Sequence, residues 1–304
     1  MGLSGIWTMT THFSYPEPAL QKELRSTAEA IVAPGKGILA VDETNEGIGK
    51  LLAAVGLENT ENNRRRYRQL LFTTQNLSEH VSATILFDET VYQKTDDGTP
   101  FMELLKKNNI IPGIKLDLDA VPLFLSQDEV TTQGLDNLAT RCAEYKKQGC
   151  RFAKWRCPLR IGENIPSVQA VNDTAQVLAS EVMVAIKQTI FELILLICDH
   201  DIVRDQKVTE TALAAVYKAL NDHHVFLEGT LLKPNMIFCN TRSDIHCANL
   251  IRIAFLSGGL TEEEATVYLN AINQANGLAC QGKYQGGPAS SAGTKSNFAA
   301  NHRY

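Results

Sequence analysis

Val225-Phe-Leu-Glu-Gly-Thr-Leu-Leu-Lys-Pro-Asn-Met236 is an apolar run that stops at a lysine. Pro234 has no N–H to give to a ladder, so a strand here ends with Lys233 at its rim. A lysine in that position sits half out of water. Desolvation penalises its ammonium and lowers its pKa, which brings a neutral, nucleophilic amine within reach of neutral pH. Such an amine condenses with a carbonyl to give a Schiff base. The ordinary alternative is a lysine that snorkels from a strand end, and the segment alone favours it. The rest of the chain decides between them.

Outward from this run, short apolar stretches alternate with helical patterns. Leu20, Leu24, Ala28 and Ile31 share one face of a first helix that begins near Pro18. Strands are expected at Gly37–Asp42, Val81–Phe87, Ile110–Asp117, Phe152–Arg156, Ile190–Cys198, Val225–Lys233 and Leu250–Leu256. Thr209–Asp222 carries Leu213, Val216, Tyr217 and Leu220 at helical spacing. Strand-helix alternation implies a parallel sheet. Seven strands without a Gly-rich phosphate fingerprint after the first favour a TIM-type (β/α) barrel over a doubly wound sheet. Ala33-Pro-Gly-Lys-Gly-Ile38 lacks the P-loop spacing and reads as a turn into the first strand. From Gln281 the chain is rich in Gly, Ala and Ser. Residues 281–304 therefore read as a flexible tail on a single domain spanning 1–304.

Composition narrows the class. The 304 residues are 44% hydrophobic and 21% charged, as expected of a globular α/β domain. A net charge of -5 argues against a general affinity for nucleic acid. The longest apolar run, Ile190 to Cys198, is interrupted by Glu192 and suits a buried strand rather than a membrane span. Seven cysteines with no C-x-x-C pair suit a reducing compartment, and no secretory or myristoylation signal is read at the N-terminus. A cytoplasmic location is expected.

Charged residues end several of the apolar runs: Asp42, Lys115, Lys154 with Arg156, and Lys233. In a β/α barrel the C-terminal strand ends converge on one mouth. Lys154 and Arg156 are two apart and share a face. A positive charge on Lys154 beside Lys233 would lower the nucleophile's pKa further, and Asp42 could order both amines or carry protons. Lys115 and Arg156 suit phosphate oxygens. Phe255-Leu-Ser-Gly-Gly259 could cradle a phosphate on backbone N–H groups, although Ser-Gly-Gly is equally an ordinary turn. The Arg64-Arg-Arg66 run with Arg68 reads first as a solvated helix face, with Arg64 the member placed to reach substrate. No Cys/His spacing makes a zinc site, so neither metal nor other cofactor is expected.

These stretches together resemble class I fructose-bisphosphate aldolases. The resemblance rests on Ile31-Val-Ala-Pro-Gly-Lys-Gly-Ile-Leu-Ala40, Glu58-Asn-Thr-Glu61 with Asn63-Arg-Arg65, Thr131-Thr-Gln-Gly-Leu-Asp136 and Phe152-Ala-Lys-Trp-Arg-Cys157. It continues through Leu213–Leu220, Leu227–Met236, Phe255–Gly259 and the terminal Asn301-His-Arg-Tyr304. It implies reversible, metal-free cleavage of fructose 1,6-bisphosphate into dihydroxyacetone phosphate and glyceraldehyde 3-phosphate by a homotetramer. Lys233 would form the imine, assisted by Asp42 and Lys154. Lys50, Lys115, Arg156 and Ser257-Gly258-Gly259 would hold hydroxyls or phosphates, and Tyr304 would protonate the enamine.

The chain departs from the family pattern in three places. The family's Glu-Pro-Glu segment on the fifth strand is replaced by Ile190-Phe-Glu-Leu-Ile-Leu-Leu-Ile197, which leaves Glu192 as the available acid/base. A helix's worth of sequence is missing between Lys233 and Ser257. After Asn273 the eighth strand, its phosphate site and the following helix are missing, so the barrel is expected to lack its eighth strand-helix unit. Leu51 stands where the family has a phosphate-binding arginine. Two other readings stay open: an impaired aldolase-like protein with a binding or scaffolding role, and the product of an incomplete gene model.

Overall fold

The computed structural model describes residues 16–126, 128–185, 189–197, 202–234, 252–256, 261–274 and 283–286. Ten strands lie among them: β1 Gly37–Val41, β2 Val81–Leu86, β3 Ile111–Lys115, β4 Ala120–Pro122, β5 Val130–Thr132, β6 Phe152–Ile161, β7 Thr189–Ile197, β8 Thr230–Leu232, β9 Arg252–Leu256 and β10 Lys283–Gly286. Eight of them close a barrel in the order β1-β10-β9-β8-β7-β6-β3-β2, and β4 and β5 form a separate two-stranded sheet. Every neighbouring pair in the barrel is parallel. The barrel expected from strand-helix alternation is therefore the one that forms.

Closure corrects one expectation. The sequence reading removes the eighth strand and assigns everything after Gln281 to a tail. In the structure Lys283–Gly286 lies between β9 and β1, pairing Tyr284 with Phe255 and Ile38 with Gln285. Lys-Tyr-Gln-Gly is short and polar, with no apolar run to announce a strand. It becomes one because β1 and β9 would otherwise each present an unpaired row of N–H and C=O groups. Among the described residues no helix follows β10.

Two apolar layers set the direction of each side chain. Ile38, Ala83, Ile85, Phe152, Leu231 and Ala254 fill the barrel, and Ala28 and Ile31 of the helix Pro18–Ile31 pack against them. That helix starts on Pro18, as its fixed φ and missing N–H favour. The Ser82 hydroxyl donates to the carbonyls of Ile31 and Gly37, which fastens the helix end to the start of β1. Leu39, Val41, Trp155 and Leu232 belong instead to the outer layer, with Leu178, Val216 and Leu220 of the surrounding helices. The period of two then carries Asp42, Lys154 and Lys233 into the interior set, beyond Ile38, Phe152 and Leu231 respectively.

The β8 region differs in extent from the expected strand. Leu227–Gly229 forms a 3₁₀ turn and only Thr230–Leu232 is extended. A Cβ on Gly229 would stand 3.1 Å from Leu24 Cβ, so this bend lets the chain pass close to the first helix.

Gly113 on β3 has a similar role inside the barrel. A Cβ there would lie 2.2 Å from Cε2 and Cζ of Phe152, whose ring crosses the glycine. Gly113→Ala should cost about 1–3 kcal/mol through overpacking. Urea unfolding of the single and double variants checks this, because Phe152→Leu should remove most of the alanine's penalty. Equal penalties in both backgrounds would contradict the close approach.

Candidate active site

The interior charges gather at the C-terminal ends of the strands. Asp42 follows β1 directly, and its Oδ2 accepts from Lys154 Nζ at 2.8 Å across the barrel. Their side chains are 11% and 5% exposed, so the pair is shielded from bulk water. Lys115 closes β3 in register with Lys154. Its ammonium lies 2.7 Å from Asp117 Oδ1 and 2.9 Å from Asp119 Oδ1, and donates to the Asp117 carbonyl at 3.0 Å. Asp117 also accepts from the backbone N–H of Arg156 at 3.1 Å, tying the ends of β3 and β6 together.

Lys233 stands one residue beyond β8 and is only 4% exposed, far less than a snorkelling strand-end lysine. Phe191 pairs with Leu232, so Glu192 and Lys233 are the next positions on adjacent strands. Glu192 also pairs in register with Arg156 on its other side. The backbone thus brings Asp42, Lys154, Glu192 and Lys233 to one end of one barrel. Thiols offer no competing nucleophile: burial pushes Cys142 up to about 11 and Cys150 and Cys157 up to about 12.

Three of the expected binding residues occupy different settings. Arg156 is exposed at the mouth. Lys50 lies on the helix Asn45–Ala54, which Thr44 caps by accepting from Gly47 N–H; its side chain is 79% exposed and 3.5 Å from Glu46. Arg64 makes a two-pronged pair with Glu89 at 2.7 and 2.9 Å, and donates to Asn59. Ser257, Gly258, Gly259 and Tyr304 lie outside the described residues, as do most of the residues between Lys233 and Ser257.

The sequence reading missed Glu43 and Arg68. Arg68, on the helix Glu61–Phe72, is fully buried; it donates to Glu89 at 2.5 Å and to the Glu43 carbonyl at 3.1 Å. Burial works against ionising Glu89, but its hydrogen bonds to Arg64 and Arg68 outweigh that and hold it below the usual carboxylate range. Glu43 is pushed up to about 7, first by burial and then by the negative charge of Asp42, against the opposing pull of its own backbone, Arg68 and Lys154. The available signal was two consecutive carboxylates at a strand end.

Comparisons with known proteins agree with this geometry. The family model described as fructose-bisphosphate aldolase class-I matches residues 23–249. The fructose-bisphosphate aldolase of Drosophila melanogaster is 50% identical, with 97% of this chain and 100% of that protein covered. Fructose-bisphosphate aldolase 1 of Caenorhabditis elegans is 48% identical, covering 88% of this chain and 80% of its own length. The Drosophila alignment runs over 362 positions against 304 residues here, so segments of that relative have no counterpart in this chain. Among solved structures, the Plasmodium falciparum fructose-bisphosphate aldolase, crystallised with TRAP and a small-molecule inhibitor, superposes with a TM-score of 0.85. It is 39% identical, with 91% of this chain and 86% of that chain covered. With barrel, strand-end lysines and sequence all matching, the chain belongs to the class I fructose-bisphosphate aldolase family.

Proposed function

We propose that this chain is a Schiff-base lyase that reversibly cleaves fructose 1,6-bisphosphate to dihydroxyacetone phosphate and glyceraldehyde 3-phosphate in the cytoplasm. The observation that carries the reading is a nearly fully buried Lys233 at the mouth that also holds the Asp42–Lys154 pair. The Lys233 amine adds to the C2 ketone, and loss of water gives an iminium. Glu192 takes the proton of the C4 hydroxyl, and the C3–C4 electrons pass to the iminium as the aldehyde leaves. Tyr304 returns a proton to C3 of the enamine, and water releases the ketone and restores the amine. Asp42 and Lys154 order the amine and assist dehydration.

Lys50, Arg156 and Ser257-Gly258-Gly259 are assigned to the substrate's hydroxyls and phosphates. Lys115 joins them if phosphate displaces Asp119, the exposed one of its two carboxylates. A coupled dehydrogenase assay following release of either triose phosphate tests the reading, and absence of turnover at millimolar substrate would overturn it. The rival reading, a relative that binds without turning over, is favoured by the segments without counterpart in this chain. Imine labelling without cleavage would establish that rival.

The homotetramer belongs to the same proposal. Phe124, Leu125 and Val168 are 79%, 89% and 78% exposed, and Gln169 Nε2 donates to the Phe124 carbonyl at 3.4 Å, which joins the two loops. An apolar patch of this kind is what subunit contact would cover. Phe124→Asp should convert the tetramer to a smaller species in sedimentation velocity. Identical profiles for both proteins would remove this surface from the assembly.

A further inference from the structure

We propose that Glu43 is a charge-tuning residue of the lysine site, a carboxyl that takes up or releases a proton in step with Asp42 and so preserves the Asp42–Lys154 pair through the reaction cycle. The inference rests on the aldolase reading for the reaction it serves, and on local geometry for everything else. Glu43 is joined to Asp42 through one peptide bond at the end of β1. Its Oε2 is enclosed and accepts no hydrogen bond from any described residue. A buried carboxylate left without a donor is costly, whereas a neutral carboxyl in that place is tolerated.

The charges facing Glu43 come from four elements. Asp42 repels it from the same strand end, and Lys154 attracts it from β6. Arg68 attracts it from the helix Glu61–Phe72 and holds its backbone carbonyl at 3.1 Å. Glu89, from the helix Asp88–Tyr92, takes one arm of Arg68 at 2.5 Å and is itself held ionised by Arg64. Burial and Asp42 raise the affinity of Glu43 for a proton to about neutrality, so both of its states are accessible at working pH.

Two carboxyls this close titrate as a coupled pair. While Asp42 is ionised against Lys154, its field favours a proton on Glu43. When Asp42 gains a proton, that field vanishes and Arg68 draws the proton off Glu43. One proton bound and one released leave the charge of Asp42, Glu43 and Lys154 together unchanged, so Lys154 never faces a fully neutralised strand end. Glu43 thereby acts through Asp42 as a positioning residue and need not touch substrate.

The test uses the full chain with ¹³C-labelled glutamate. A carboxyl signal should titrate near neutral pH, be absent from Glu43→Gln, and move down by on the order of one pH unit in Asp42→Asn. In the same proteins, the inflection of kcat/KM near neutral pH should vanish in Glu43→Gln and persist in Glu43→Asp. An Asp42→Asn titration identical to the wild type, or a Glu43→Gln rate profile superimposable on it, would overturn the coupling. If Glu43→Gln fails to fold, the Asp42→Asn titration decides the matter. If the wild type neither labels nor cleaves, the aldolase reading falls while the titration still judges Glu43.

Discussion

Replacing Lys233 with arginine should abolish fructose 1,6-bisphosphate cleavage, lowering kcat by on the order of 10⁴-fold or more. The guanidinium keeps the positive charge and the length of the side chain but stays protonated, so it cannot add to a ketone. Lys233 is 4% exposed and its backbone is fixed by β8, so the amine cannot readily be supplied from elsewhere. Lys154 has a similar burial, yet it is paired with Asp42 at 2.8 Å. The coupled assay measures the loss, and circular dichroism separates it from unfolding. Residual cleavage above a few per cent would mean that another amine carries the imine.

The second large effect is expected at Asp42. Asp42→Ala removes the carboxylate 2.8 Å from an ammonium that is 5% exposed. Breaking a buried pair from one side costs about 3–5 kcal/mol, because the remaining charge loses its compensation. Loss of an oriented acid/base partner should also slow turnover by about 10²–10⁴. The double variant Asp42→Ala/Lys154→Met should be less destabilised than the sum of the two single variants, since no ammonium is then left uncompensated. Denaturant titration of the four proteins measures that difference. Strict additivity would show that the pair does not interact energetically.

The residues explain why most of the barrel could be read before the structure. A parallel strand buried on both faces is a continuous apolar run, and β2, Val-Ser-Ala-Thr-Ile-Leu, is buried at every position. β6 and β7 announce themselves in the same way, although β6 runs on to Ile161 where the reading stopped at Arg156. β10 escaped because its extended form is imposed by its two neighbours rather than by its own side chains. β8 was read too long because Glu228-Gly229 looks tolerable within an apolar run until the nearness of Leu24 is known. The β4–β5 hairpin was missed for its length, three residues per strand.

The site divides along similar lines. Asp42, Lys115, Lys154 and Lys233 were legible because a charge that ends an apolar run stands out against it. Glu43 was hidden behind Asp42, since a strand-end search stops at the first charge. The arginine run shows where sequence gives least. Arg64 meets Glu89, Arg65 meets Asp96 at 2.6 Å, Arg66 is exposed, and Arg68 is fully buried. Four like residues within five positions take four environments, which depend on acidic partners more than twenty residues away.

The central claim is that Lys233 forms the imine, and one trapping experiment addresses it directly. The protein is incubated with dihydroxyacetone phosphate, reduced with borohydride, digested and mapped by mass spectrometry. A stable triose phosphate adduct on Lys233, absent when borohydride is omitted, is the predicted result. An adduct confined to Lys154, or no adduct at all, would contradict the account.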